Sequence, residues 1–89
     1  MKLSVIIPVF NEEKTVSLII KKVLNSVLPK GFTKEIIVVD DGSTDKTNKI
    51  LKSFKSKIKS LLHPKNIGKG NAIKTGLRNA TGNLVIIQD

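Results

Sequence analysis

Four short apolar runs punctuate the chain, and the stretches between them follow a different period. "LSVIIPVF", "EIIVV" and "LVIIQ" are dense in β-branched residues, and "IKSLL" is a weaker apolar run. Runs of that length and composition read as strands buried on both faces. They predict strands ending at Pro8, over residues 36–39, over about 58–62, and from Leu84 to Gln88. The first interval sets Val16, Ile19, Ile20, Val23, Leu24 and Val27 on one face of a helix over about residues 12 to 27. Pro29 and Gly31 break it. The second interval gives Ile50, Leu51 and Phe54 a common face, and the third does the same for Ala72, Ile73, Gly76, Leu77 and Ala80. Ser43 or Thr44 is expected to cap the second helix, with Asp45 in its positive first turn. Gly82 is the expected left-handed cap that ends the third. The order β-α-β-α-β-α-β predicts an α/β domain with a parallel sheet and right-handed crossovers.

Such sheets bind ligands at the carboxyl ends of their strands, and the polar residues gather there. Asn11, Glu12 and Glu13 follow the first strand; Asp40, Asp41, Gly42 and Ser43 follow the second. Asn66, Gly68, Lys69 and Gly70 follow the third, and Gln88 and Asp89 the fourth. Any one of these loops reads equally well as a turn or cap. Four on one edge of a sheet read as a crevice. Carboxylates there suit hydrogen bonds to a base and a ribose, and a divalent metal beside phosphates.

Composition narrows the ligand. The chain has 89 residues, enough for one small domain, and no cysteine, which excludes disulfides and thiolate metal sites and fits a cytoplasmic setting. Its net charge is +9, from 16 Lys and Arg against 7 acids. That balance suits phosphate-bearing partners, although lysines spread along the whole chain read first as a solvated surface. A nucleic-acid binder is disfavoured: there is no Tyr or Trp to stack bases, and acids occupy the crevice. No apolar stretch approaches the length of a membrane span.

Four segments then become specific together. "VIIPVFNEE", "IIVVDDGSTDKT", "NIGKGNAIKTGLRNATGN" and "LVIIQD", in this order and spacing, resemble the start of the family 2 glycosyltransferases, and among them the branch that makes polyprenyl-phosphate mannose or glucose. The resemblance covers the whole chain. It implies the Rossmann-like GT-A fold of nucleotide-diphospho-sugar transferases. It also implies transfer of a sugar, with inversion, from a UDP- or GDP-linked donor to an acceptor such as a polyprenyl phosphate at the cytoplasmic face of a membrane. Pro8, Phe10 and Glu12 would line the nucleoside pocket, Phe10 near the base and Glu12 near the ribose. Asp41 would hydrogen-bond the base, with Asp40 bracing that turn, and Lys69 would lie near the diphosphate. Asp89 would be the first acid of an Asp-x-Asp motif that holds ribose and Mg²⁺ or Mn²⁺. Residues 1–89 are therefore expected to be the amino-terminal, nucleotide-sugar-binding part of such a domain, cut inside that motif. The second acid, the acceptor half and the catalytic base would lie outside it, and the piece would be inactive alone. The alternative is a stand-alone nucleotide-binding module without catalysis.

Three other signals carry little. Gly68-Lys69-Gly70 lacks the third glycine of a dinucleotide fingerprint, since Ile73 stands at that place, and it is not a P-loop. Asn79-Ala80-Thr81 matches a glycosylation sequon by chance. His63 has no acid in its own loop and is assigned no role.

Overall fold

A computed structural model describes residues 1–89. The elements are β1 (Lys2–Val9), α1 (Val16–Leu24), β2 (Thr33–Asp40), α2 (Thr47–Lys52), β3 (Lys59–Leu62), α3 (Lys69–Asn79) and β4 (Leu84–Ile87). All strand pairs are parallel, and the sheet order is β3-β2-β1-β4. The chain winds outward from β1 to β3, then returns through α3 to place β4 on the far side of β1. The order therefore reverses between β1 and β4, which opens a crevice at their carboxyl ends.

The period of two along the central strands sorts their side chains. Leu3, Val5, Ile7 and Val9 of β1 join Ile36 and Val38 of β2 beneath Val16 and Ile20 of α1, with Leu51 of α2 and Ile58 completing that layer. Ile37 and Val39 face the other way, against Ala72 of α3. Ile6 shares that second face: a Cβ on Gly76 of α3 would come within 2.5 Å of its Cγ2.

Several element bounds differ from the sequence expectation. Helix α1 begins at Val16 because residues before it form a turn, in which the Glu12 carbonyl accepts from the amides of Thr15 (3.0 Å) and Val16 (2.8 Å). It ends at Leu24, where Lys34 Nζ reaches back from β2 to the carbonyls of Val23 (2.6 Å) and Ser26 (2.8 Å). Helix α2 begins only at Thr47, whose amide donates to the Asp45 carboxylate (2.9 Å); Ser43 and Thr44 do not cap it. Helix α3 ends at Asn79, and Gly82 is not left-handed. Gly82 is needed for another reason: a Cβ there would lie 2.6 Å from Ser4 Oγ and 2.8 Å from the Lys2 carbonyl.

The outer strands are not buried as their apolar sequences suggest. Every side chain of β4 is 41–50% exposed. It pairs only with β1, and both helical layers lie over β1 and β2 rather than over it. An apolar groove of about 400 Å³, lined by Leu3, Val5, Ile19, Val23, Leu28 and Ile86, runs between α1 and this uncovered edge. No helix is long and apolar enough to cross a membrane.

Candidate nucleotide-binding cleft

The loop after β1 is held by the loop after β2. Asn11 adopts φ +49°, a left-handed conformation that Asn tolerates better than most residues. Its side-chain oxygen accepts from the amides of Thr44 (2.8 Å) and Asp45 (3.3 Å), while its own amide donates to Ser43 Oγ (2.8 Å). The amides of Glu12 and Glu13 donate to Thr47 Oγ1 (2.9 Å) and the Asp45 carboxylate (3.2 Å). Burial opposes the Asp45 charge, but bonds from the Thr47 hydroxyl (2.6 Å), the Thr47 amide and the Glu13 amide outweigh it and lower the pKa. This stitching fixes the chain that presents Phe10 and Glu12.

The loop after β3 hangs on Asp41. Gly42, at φ +76°, passes so close beneath this loop that a Cβ would lie 2.4 Å from the Lys65 carbonyl carbon. Both carboxylate oxygens of Asp41 are fully engaged. Oδ1 meets His63 Nδ1 (2.8 Å) and the Ile67 amide (3.1 Å); Oδ2 accepts from the Gly68 amide (2.9 Å) and Asn66 Nδ2 (3.1 Å). A carboxylate offers about four lone-pair directions, so each is occupied. Burial pushes the Asp41 pKa up, yet the bonds from His63, Ile67 and Gly68 outweigh it and hold the carboxyl below its ordinary range.

Between these loops lies a cleft of about 320 Å³. Pro8, Phe10 and Glu12 line it from β1, Asp41 from β2, Asn66, Gly68 and Lys69 from the β3–α3 loop, and Asp89 from the end of β4. Six of the seven residues singled out from the sequence thus meet in one place. Asp40 does not: its buried carboxylate accepts from the Ser43 amide (2.9 Å) and Asn48 Nδ2 (3.4 Å), inside the turn it braces. Lys69 and Asp89 form an exposed ion pair across the mouth of the cleft. The amides of Lys69, Gly70 and Asn71 precede the first helical bond of α3, from Ala72 to the Gly68 carbonyl (3.1 Å), so they face outward as anion donors.

His63, assigned no role from its local sequence, has one in the fold. It is buried, with Nδ1 on Asp41 and Nε2 2.8 Å from Thr75 Oγ1 of α3. Its acid stands 22 residues away, at the end of a neighbouring strand, where no local motif would reveal it. The available signal was its position: it directly follows β3, at the edge where every strand end turns toward the cleft.

The residues present do not assemble a metal site. No group of three or more His, Asp or Glu side chains could hold a cation. Asp41 is saturated by donors, Asp40 is locked in its turn, Glu12 Oε2 accepts from Thr15 Oγ1 (2.8 Å), and Asp89 is paired with Lys69.

A parallel α/β sheet with a reversal point, a half-exposed aromatic ring, acids and an amide-rich helix start surround one cleft, an arrangement with the chemistry to suit a nucleotide. The comparisons make it specific. The family model for glycosyl transferase family 2 matches residues 4–89, and the chain belongs to that family. Human dolichyl-phosphate beta-glucosyltransferase is 34% identical over 98 aligned positions, covering 99% of this chain and 30% of the relative. The crystal structure of S. aureus TarS in complex with UDP-GlcNAc superposes with a TM-score of 0.87 at 34% identity, over 100% of this chain and 26% of that one. The mannosyltransferase PcManGT from Pyrobaculum calidifontis, in complex with GDP-Man and Mn²⁺, superposes with a TM-score of 0.88 at 28% identity, over 98% of this chain and 26% of that one. The fold is that of the GT-A glycosyltransferases. The chain spans 30% or less of the length of these relatives.

Proposed function

We propose that this chain is the donor-binding part of a glycosyltransferase that moves a sugar from a UDP- or GDP-linked donor to a polyprenyl phosphate at a membrane surface, with inversion. One observation carries the reading: residues from four separate strand ends, each within a motif of the family, converge on one cleft of nucleotide size. The lipid acceptor is drawn from the name of the dolichyl-phosphate relative, and the donor class from the nucleotide-sugars bound in the two structural neighbours.

Each residue then has a task. The exposed face of Phe10 supplies a stacking surface for the base, and Glu12 accepts from a ribose hydroxyl. Lys69 and the first amides of α3 meet the diphosphate, with Lys69 released from Asp89 as it does so. Asp41 accepts from the base only by exchanging a donor, and the exposed Asn66 amide is the one free to rotate away. Asp89 would offer one carboxylate to a divalent cation such as the Mn²⁺ bound in the mannosyltransferase neighbour, but a single acid does not hold a cation by itself, and sugar transfer needs groups besides these.

Calorimetric titration with UDP, GDP, UDP-glucose and GDP-mannose tests the reading. A saturable isotherm with one diphosphonucleoside, abolished by Lys69→Glu and absent for uridine or guanosine alone, supports it. No binding by any of the four at millimolar concentration contradicts it. The same preparation is expected to transfer no sugar to a short polyprenyl phosphate. Measurable transfer would overturn the assignment of the catalytic groups to positions outside these residues.

A further inference from the structure

We infer that His63 is a positioning residue for the nucleotide, holding Asp41 in place while a neighbouring donor is exchanged for the base. The inference rests on the nucleotide reading of the cleft and deepens it.

The chemistry of the contact fixes the ring. Asp41 is an ionised carboxylate and can only accept. His63 Nδ1, 2.8 Å from Asp41 Oδ1, must therefore carry a proton. In the neutral ring Nε2 is then an acceptor facing Thr75 Oγ1 at 2.8 Å, and the single hydroxyl proton of Thr75 is shared between this nitrogen and the Asn71 carbonyl. Thr75 Oγ1 also receives Arg78 Nη2 (3.2 Å) and lies 3.0 Å from the Asn71 carbonyl. The imidazole thus links the end of β2 to the middle of α3, and both of its nitrogens have partners.

The four donors on Asp41 are not equivalent. Two are main-chain amides of Ile67 and Gly68, and one is the buried His63 ring. The fourth, Asn66 Nδ2, belongs to an exposed side chain that lines the cleft. A base N–H entering the cleft can replace Asn66 at no loss in hydrogen bonds, provided the carboxylate does not turn with the departing amide. His63, the shorter of the two contacts on Oδ1 at 2.8 Å against 3.1 Å for the Ile67 amide, adds to that restraint from a buried ring. Removing it leaves Oδ1 with the Ile67 amide alone and loosens the carboxylate's hold against turning.

The chain's one histidine makes the test direct. Imidazole ¹⁵N spectra of the chain report the tautomer without reference to any ligand. The proton is expected on Nδ1 in the neutral ring, and Asp41→Asn is expected to change that pattern. A neutral ring protonated on Nε2 overturns the proposal, whatever the cleft binds. UDP affinity is then measured for the wild type, His63→Leu and His63→Asn, each with its unfolding curve. Leu lacks a donor and is expected to weaken UDP binding about tenfold or more. The Asn amide can reach Asp41 but not Thr75, and is expected to recover affinity to within about threefold of wild type. Equal affinities for all three, or losses in Leu and Asn that match only their unfolded fractions, overturn it. A wild type that ignores both UDP and GDP fails the nucleotide reading instead, and the tautomer result still stands or falls by itself.

Discussion

A buried carboxylate and a partly buried one sit at opposite edges of the same sheet and are held by the same physics. At the carboxyl edge, Asp41 gathers His63 and the loop after β3. At the amino edge, Glu35 gathers the connection between α3 and β4. It accepts from Ser4 Oγ (2.6 Å), the Thr81 amide (2.9 Å) and Thr81 Oγ1 (3.1 Å), with Lys59 Nζ at 3.6 Å and Lys2 Nζ at 3.9 Å. Burial opposes both charges, and hydrogen bonds overcome it in both; the Glu35 pKa falls to about 2. A perturbed acid is therefore no sign of a ligand by itself. What separates the two is what else they touch. Asp41 borders a cleft and bonds an exposed, replaceable amide, whereas Glu35 lines no pocket and only pins one strand connection to another.

That contrast can be broken by substitution. Asp41→Ala should have the largest effect, because it strips a buried His and three other donors of their acceptor. It is expected to lower stability by about 3 kcal/mol and UDP affinity by more than tenfold, read by urea unfolding and calorimetry. Glu35→Ala should cost about 2 kcal/mol of stability, since Ser4 and Thr81 lose their acceptor, while the folded protein binds UDP within about twofold of wild type. An affinity loss for Glu35→Ala as large as that for Asp41→Ala would erase the distinction between the two edges.

Acid sharpens the same comparison. The folded pKa of Glu35 lies below its ordinary 4.5, so its charge stabilises the fold above that value and ceases to as pH falls toward about 2. The contribution is on the order of 2 kcal/mol, reduced by solvent screening of the partly exposed side chain. Asp41 acts in the same direction. Unfolding free energy is thus expected to be flat from neutral pH to about 5 and to fall below it, with Glu35→Gln removing much of that slope. A slope unchanged in Glu35→Gln would mean that other acids set the acid limit. The smallest effect expected is that of Phe10→Ala: unchanged stability, since the ring is 42% exposed, and a several-fold weaker affinity for UDP from lost stacking of about 1 kcal/mol. Full-strength binding by that variant would remove the base from the Phe10 side of the cleft.

Local pattern made the sheet legible and left its surroundings illegible. The β-branched runs located four strands because period and branching are local properties of the chain. The same runs said nothing about cover: Leu84 to Ile87 read as buried, yet no helix lies over them. The loops that follow the strands were recognisable as one crevice from topology alone, and Pro8, Phe10, Glu12, Asp41, Lys69 and Asp89 line it. The pairings inside the crevice were not recognisable. Asp41 meets His63 and Asn66 across 22 and 25 residues, and Asn11 meets Thr44 across 33. Such contacts depend on strand order, which the sequence did not express. Gly82 failed as a cap for a related reason, because the close approach of Ser4 comes from the strand pairing of β1 with β4.

The most direct test of the account is an amide NMR titration of the chain with UDP and, separately, GDP. Saturable shifts are expected only at the carboxyl edge, at Val9 to Glu13, Asp41 and Gly42, and Asn66 to Ala72, with Glu35, Thr81 and Gly82 unmoved. Shifts centred instead on the groove between α1 and β4, or no saturable shift with either nucleotide, would contradict it.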